Sequence, residues 1–281
     1  FFNSLPGKYS PGLPQQDAHA LRKITPIIIN DIQSKNTCKF DRKIVVGNSF
    51  GALTSLFVAA QEAENNTLGI SKYIVINPPI EYFFVMKQLD KYSQAAQNTS
   101  EDVKLRAAMT VKKAIQVSQT VPNINKNAPE ILPFTEDEAN LAIGYSMKQK
   151  LSDVVFVLDG GLKLKKVAEK RALYEKINNM GYYDYVLNYL LVGQDKSLEQ
   201  LNYEASLYSL ADFFKKSTNY KIYHSIDDCF VNQEQLIWLK KQSGDKSVFF
   251  SNGSHFGALY RKEFIDEFKK DIRLKEVVKN E

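Results

Sequence analysis

The sequence is poor in cysteine and histidine and has no long apolar run, and each shortage excludes a class of protein. Two cysteines, Cys38 and Cys229, in 281 residues are too few for a disulfide framework. No apolar stretch approaches the roughly 20 residues a membrane-spanning helix needs, so no transmembrane segment is expected. Neither sign of charge is in large excess: 37 basic against 32 acidic side chains leave +5, spread along the chain. The run 261–279 mixes both signs and reads as a solvated helix face, so nucleic acid is not an expected partner. There is no internal repeat and no low-complexity tract. The chain opens Phe1-Phe2-Asn3-Ser4, with no initiator Met and no basic-then-apolar leader, and reads as a processed or truncated start.

What remains is ordinary globular material: 44% hydrophobic and 25% charged residues, enough for one large domain or two modest ones. Residues 7–14 read as a loop. Leu21, Ile24, Ile28 and Ile32 predict a helix over 16–32, starting late or kinked at Pro26. A short β-branched strand over 43–46 ends at Gly47. A second helix follows at once, with Leu53, Leu56, Phe57 and Ala60 on one face. Residues 72–77 are another strand, stopped by Pro78-Pro79. The stretch 80–218 reads as helical almost throughout. Its signals are a stripe at Val103, Ala107, Val111 and Ile115, a capping box at Thr135-Glu136-Asp137-Glu138, and apolar faces around Leu190 and Leu210. Strand patterns return at 220–224 and 246–250, each followed by a helical pattern, near Gln233 and near Gly257. Strands alternating with helices predict a parallel sheet with helices on both faces. The long helical stretch exceeds a crossover and is read as an insertion.

Gly47-Asn48-Ser49-Phe50-Gly51 stands between the first strand and the second helix. Glycine-x-serine-x-glycine is a weak signal by itself, but a strand-to-helix setting is the one a nucleophile elbow requires. The serine is held on a strained turn at a helix N-terminus, where amides and dipole favour developing negative charge. Glycines at 47 and 51 are read as removing side chains that would collide with neighbouring elements. The competing reading, a tightly packed phosphate-binding helix start, lacks the phosphate-loop lysine.

A serine hydroxyl needs a base. Of three histidines, His19 precedes the elbow and His224 lies within a strand pattern. His255 sits in the loop Gly253-Ser254-His255-Phe256-Gly257, after the last strand and before the last helix. The base in turn needs an acid to fix its tautomer. The loop after the preceding strand offers Asp227 and Asp228, with Asp228 preferred and Asp227 the alternative.

Together, Gly47 to Gly51, Asp228-Cys229-Phe230-Val231 and Gly253 to Gly257 resemble the three triad loops of the α/β-hydrolase superfamily, in the order Ser, Asp, His. Asn77-Pro78-Pro79-Ile80 and the helices behind it resemble a bacterial subgroup. The resemblance implies a mostly parallel α/β-hydrolase sheet, with residues 1–80 and 219–281 as the core. Residues 81–218 would be an all-helical cap, and the N-terminal strands of the sheet would either be missing or precede the chain's first residue. Cys38 and Cys229 would then lie at opposite edges of the sheet, too far apart to bond. Phe50 N–H would be one oxyanion donor. The second would come from a loop after an earlier strand, and losing one such donor costs about 10²–10³ in rate.

The expectation is a serine hydrolase cleaving an ester, thioester or amide, with Ser49 as nucleophile, His255 as base, Asp228 as orienting acid, and no metal or cofactor. Tyr82, Phe83, Phe84, Tyr182, Tyr183 and Tyr185 suggest an apolar acyl or lipid substrate, or else simply form the core of the cap. The alternative is a catalytically retired fold whose helical insertion docks protein partners in a larger, envelope-associated assembly. The sequence carries no address that separates cell envelope from cytoplasm.

Overall fold

Four short β-branched and aromatic runs become strands: β1 (Ile44–Asn48), β2 (Lys72–Ile76), β3 (Tyr220–Ser225) and β4 (Ser247–Phe250). In the computed structural model they form one parallel sheet in the order β1-β2-β3-β4, so every connection runs to the next strand along. The residues described are 10–36, 39–97, 136–255 and 257–272, together with Leu105, Ala108, Met109, Lys112, Lys113 and Gln116. Cys38, Thr135, Phe256, residues 5–9, the stripe residues Val103, Ala107, Val111 and Ile115, and the run beyond Ile272 lie outside them.

Among the described residues there are ten α-helices. They are α1 (Pro14–Asn36), α2 (Phe50–Glu64), α3 (Tyr82–Gln97), α4 (Glu136–Leu158), α5 (Val167–Asn178), α6 (Tyr182–Tyr185), α7 (Leu198–Ala205), α8 (Ala211–Lys216), α9 (Gln233–Ser243) and α10 (Lys262–Ile272). α1 differs from expectation: it begins at Pro14 and carries Pro26 inside it. Proline suits a first helical position, and Asp17 accepts the Gly12 N–H at 3.1 Å, which orders the entry. Its buried residues fall in the first turns, whereas Ile27, Ile28 and Ile32 are exposed, so the apolar stripe is only half used.

The chain divides into two compact units, Gly12–Tyr82 with Lys196–Glu281, and Phe1–Pro11 with Phe83–Asp195. Strand spacing reads one helical stretch over 81–218, whereas the helical compact unit holds Phe83–Asp195. α7, the tight turn Leu207–Leu210 and α8 belong with the sheet. Leu201, Leu207 and Phe214 are buried there, Leu207 N–H donates to Ile80 O at 2.9 Å, and Tyr82 N–H donates to the Ser206 hydroxyl at 2.8 Å.

In the sheet unit, β2 shows why both faces need cover: all of Tyr73, Ile74, Val75 and Ile76 are buried. Ile74, Ile76 and Tyr223 pack with Phe264 of α10 on one face. Tyr220 of β3 meets Phe213 and Phe214 of α8. α2, buried from Ala52 to Ala59, packs against β1 and β2. Arg22 of α1 pairs with Glu62 of α2 at 2.6 Å. Burial alone raises the Glu62 pKa, but its bonds from Leu68 N–H, Thr67 and Arg22 outweigh that and hold it below the usual value. β1 is an edge among the described strands, and Val46 on it is 48% exposed.

The helical unit packs α3, α4, α5 and α6 with aromatic contacts, Phe83 edge-on to Tyr183 and Phe156 stacked on Tyr174 at 4.5 Å. Gly144 of α4 lies where a Cβ would come 2.1 Å from Tyr92 O of α3, so the glycine lets two helix backbones approach. Phe83 and Tyr185 are buried in this unit, while Tyr82 is buried in the sheet unit.

Candidate active site

The parallel sheet brings all of its strand C-termini to one end, and the loops there lie outside the carboxyl edge where α/β sheets carry their sites. Ser49 follows β1, Asn77 follows β2, Asp227 and Asp228 follow β3, and His255 follows β4. All belong to the sheet unit.

Ser49 is the elbow. Its φ of 53° and ψ of −123° are strained for a residue with a Cβ. The strain is held from both sides: Ser49 N–H continues the ladder to Ile76 O at 2.9 Å, and Ser49 O accepts from Ala52 and Leu53 to open α2. The two elbow glycines are not equivalent. A Cβ on Gly47 would come within 2.5 Å of Gly51 O and the Ser55 hydroxyl, so nothing larger fits. A Cβ on Gly51 would meet nothing within 4 Å. The collision expected at 51 is absent because that position faces open space on the first turn of α2. Phe50 occupies the first helical position, where an amide has no acceptor within its own helix.

Three side chains form a continuous chain. Ser49 Oγ lies 2.8 Å from His255 Nε2, and His255 Nδ1 lies 2.8 Å and 3.0 Å from the two carboxylate oxygens of Asp228. An ionised carboxylate only accepts, so Nδ1 carries the proton, Nε2 presents its lone pair, and the Ser49 hydroxyl donates to it. The partners thus assign the tautomer. Asp228 keeps 1% of its side-chain exposure and His255 keeps 11%. Phe230 packs edge-on against the His255 ring at 4.7 Å. Burial by itself raises the Asp228 pKa. The hydrogen bond and charge of His255, aided by Phe230 N–H at 2.9 Å, outweigh it and hold the carboxyl below its ordinary value.

Asp227, the alternative acid, has different partners. Its two oxygens accept the amides of Gly253 at 3.1 Å and Ser254 at 2.7 Å. It fastens the loop that carries His255, where Ser254 has φ 47° and Gly253 has φ 136°. A Cβ on Gly253 would fall 2.6 Å from Ala258 N, so that glycine is required.

Two further residues, named in the sequence reading but given no place at the site, stand beside the three. Asn77 is 1% exposed with φ 49°, and its amide donates to Asp228 Oδ2 at 2.6 Å and to Ser254 O at 3.4 Å. An asparagine directly after an apolar strand and before two prolines was the available signal, since asparagine tolerates the left-handed region. His224 is fully buried, with its ring nitrogens 2.9 Å from Ser225 O and 3.2 Å from Pro78 O. Burial pushes its pKa down and so favours the uncharged ring, which can donate to only one of the two carbonyls.

Among the described residues no cluster of His, Cys, Asp and Glu has the arrangement of a metal site, and no helix is long and apolar enough to cross a membrane. No known protein family matches the chain, and no curated protein matches it significantly.

Proposed function

We propose that this chain is a serine hydrolase of the α/β-hydrolase type, acting on an ester, thioester or amide, with the helical unit Phe83–Asp195 inserted as its cap. One observation carries the reading: the unbroken hydrogen-bonded series from Ser49 through His255 to Asp228, at 2.8 Å and 2.8 Å, across the ends of three strands. Strain at Ser49 supports it, because an unfavourable backbone persists only where its surroundings over-determine it.

In the reaction, Ser49 Oγ attacks the acyl carbon while its proton passes to His255 Nε2. Asp228 stabilises the imidazolium that forms. Phe50 N–H, at the positive end of α2, donates to the oxyanion. The imidazolium then gives its proton to the leaving alcohol, thiol or amine, leaving an acyl-Ser49 ester. Water, deprotonated by the same nitrogen, attacks that ester and releases the acid and Ser49.

The test is covalent labelling with a fluorophosphonate probe. Label on Ser49 that is absent in Ser49→Ala and much slower in His255→Ala is the expected result. A folded native protein that takes no label would overturn the reading and leave the fold as a scaffold for protein partners.

A further inference from the structure

Asp228 has more donors than the histidine it serves. Its Oδ1 accepts from Phe230 N–H at 2.9 Å, its Oδ2 accepts from the Asn77 amide at 2.6 Å, and His255 Nδ1 lies across both oxygens. Among the described residues, Asn77 and His255 are the side chains that hydrogen-bond the acid. Asn77 is well placed to act on it. Its own N–H is locked to Tyr223 O at 2.8 Å, its backbone holds φ 49°, and its second amide proton points at Ser254 O beside His255. Nearby His224 cannot substitute, because both its ring nitrogens face carbonyl oxygens.

We infer that Asn77 is a positioning residue of the triad, holding the Asp228 carboxylate in the orientation in which both of its oxygens meet His255 Nδ1 and, through it, the tautomer whose Nε2 accepts from Ser49. This rests on the proposed hydrolase reading for its rate effects, but its structural content can be tested separately.

In Asp228→Asn the new amide meets two fixed donors, Phe230 N–H and the Asn77 amide, with one carbonyl oxygen. Either orientation leaves two donors facing each other. If the carbonyl turns to Asn77, the NH₂ faces Phe230 N–H; if it turns to Phe230, the NH₂ faces the Asn77 amide and takes the nearer position to Nδ1, where a donor forces the proton onto Nε2, the unproductive tautomer. Adding Asn77→Asp resolves the conflict. The residue-228 NH₂ donates to the new carboxylate at 77, and its carbonyl accepts from Phe230 N–H and from His255 Nδ1–H. The exchange of one amide for one carboxylate across a 2.6 Å contact restores the required tautomer.

The experiment uses the full chain as the native protein, Asn77→Gly, Asp228→Asn and the double variant Asn77→Asp/Asp228→Asn. Glycine keeps the left-handed backbone and removes the amide. Two readouts are taken: the fluorophosphonate labelling rate against pH, and the ¹⁵N shifts of the His255 ring, which report the tautomer without any reaction. Loss of a hydrogen bond to a charged group predicts about 10–100-fold slower labelling of Asn77→Gly, with its acid limb moved to higher pH. The double variant is expected to label at least about 10-fold faster than Asp228→Asn and to return the ring proton to Nδ1. Should Asn77→Gly not fold, the comparison of the double with the single Asp228 variant decides alone. A double variant no faster than Asp228→Asn with the same ring pattern overturns the inference. So does a folded Asn77→Gly labelling within about threefold of native with an unmoved acid limb. If the native protein takes no label, the hydrolase reading fails, while the ring pattern of the variants still decides the role of Asn77.

Discussion

The sheet unit and the helical unit each bury a carboxylate against backbone amides, to opposite electrostatic effect. Asp228, 4% exposed, sits among His255, Phe230 N–H and Asn77, and its pKa is held down. Asp90 of α3, half-buried, accepts from Tyr182 N–H and from Tyr183 N–H at 3.0 Å, at the start of α6. Its pKa is pushed up, burial being the main cause, with the nearby charge of Asp184 adding to it and the two amides opposing. Lys148 beside it is pushed down, also chiefly by burial. The difference lies in the donors. Amides at a helix N-terminus cap and orient, and they serve a helix end that would otherwise keep unsatisfied N–H groups. A carboxylate bonded to an imidazole that itself reaches a hydroxyl belongs to a connected series of proton-carrying groups. Burial of a carboxylate is common to both units; only the chain of titratable partners marks a site.

The largest effect that can break this contrast is kinetic. Asp228→Asn is expected to slow fluorophosphonate labelling of Ser49 by about 10⁴, whereas Asp90→Asn is expected to leave it within about threefold. Adjacent Asp227 provides the internal control. Asp227→Asn loosens the loop amides of Gly253 and Ser254 but leaves the His255 contact, so a loss of about 10-fold is expected. If Asp227→Asn were the more damaging of the neighbouring pair, the acid would be misassigned.

A stability measurement sharpens the same contrast. Asp90→Ala removes the partner of two amides and is expected to cost about 0.5–2 kcal/mol in denaturant unfolding, without slowing the labelling of folded protein. The pH slopes should carry opposite signs. Asp228 has a folded-state pKa below 3.8, so in that region the unfolded chain binds more protons and stability is lost as pH falls through the folded value. Asp90 has a folded-state pKa above 3.8, so the folded chain binds more protons and its contribution grows as pH falls toward 3.8. Unfolding free energies measured from neutral to acid pH should therefore lose a destabilising acid trend in Asp228→Asn and a stabilising one in Asp90→Asn.

Much of this was legible in the sequence, for identifiable reasons. The strands were readable because β-branched runs such as Ile44-Val45-Val46 end at sharp turn residues, and the parallel order follows from the helices between them. Chain order and loop position restrict the candidates to a few, and the three chosen, Ser49, Asp228 and His255, lie within hydrogen-bond reach of one another. Where the helical compact unit ends was not legible. Leu201, Leu207 and Phe214 carry the same helical periodicity whichever core they join, and only packing assigns them to the sheet. Asn77 was given no place at the site because its value lies in a contact 151 positions away in the sequence, and no local pattern records that. The roles of the two adjacent aspartates had the same origin: side chains of successive residues point apart, so one reaches the ring and the other the loop amides.

The smallest prediction concerns the two glycines of the elbow, where the sequence treats as equal what the structure does not. Gly47→Ala drives a Cβ to 2.5 Å from a backbone oxygen and to 2.9 Å from the Ala52 Cα, neither of which can yield without moving α2, so a loss of stability of about 1–3 kcal/mol is expected. Gly51→Ala places its methyl in open space on the first turn of α2, where replacing glycine narrows the unfolded ensemble at no steric cost. A gain of about 0.4–1 kcal/mol is expected. Chemical unfolding of both variants, followed by labelling of Ser49, separates two reasons for a glycine. A Gly51→Ala variant that is stabler yet labels several-fold more slowly would mean that position 51 is kept small for a molecule approaching Ser49, not for the fold. Equal labelling would assign the tight packing of the elbow to Gly47 alone.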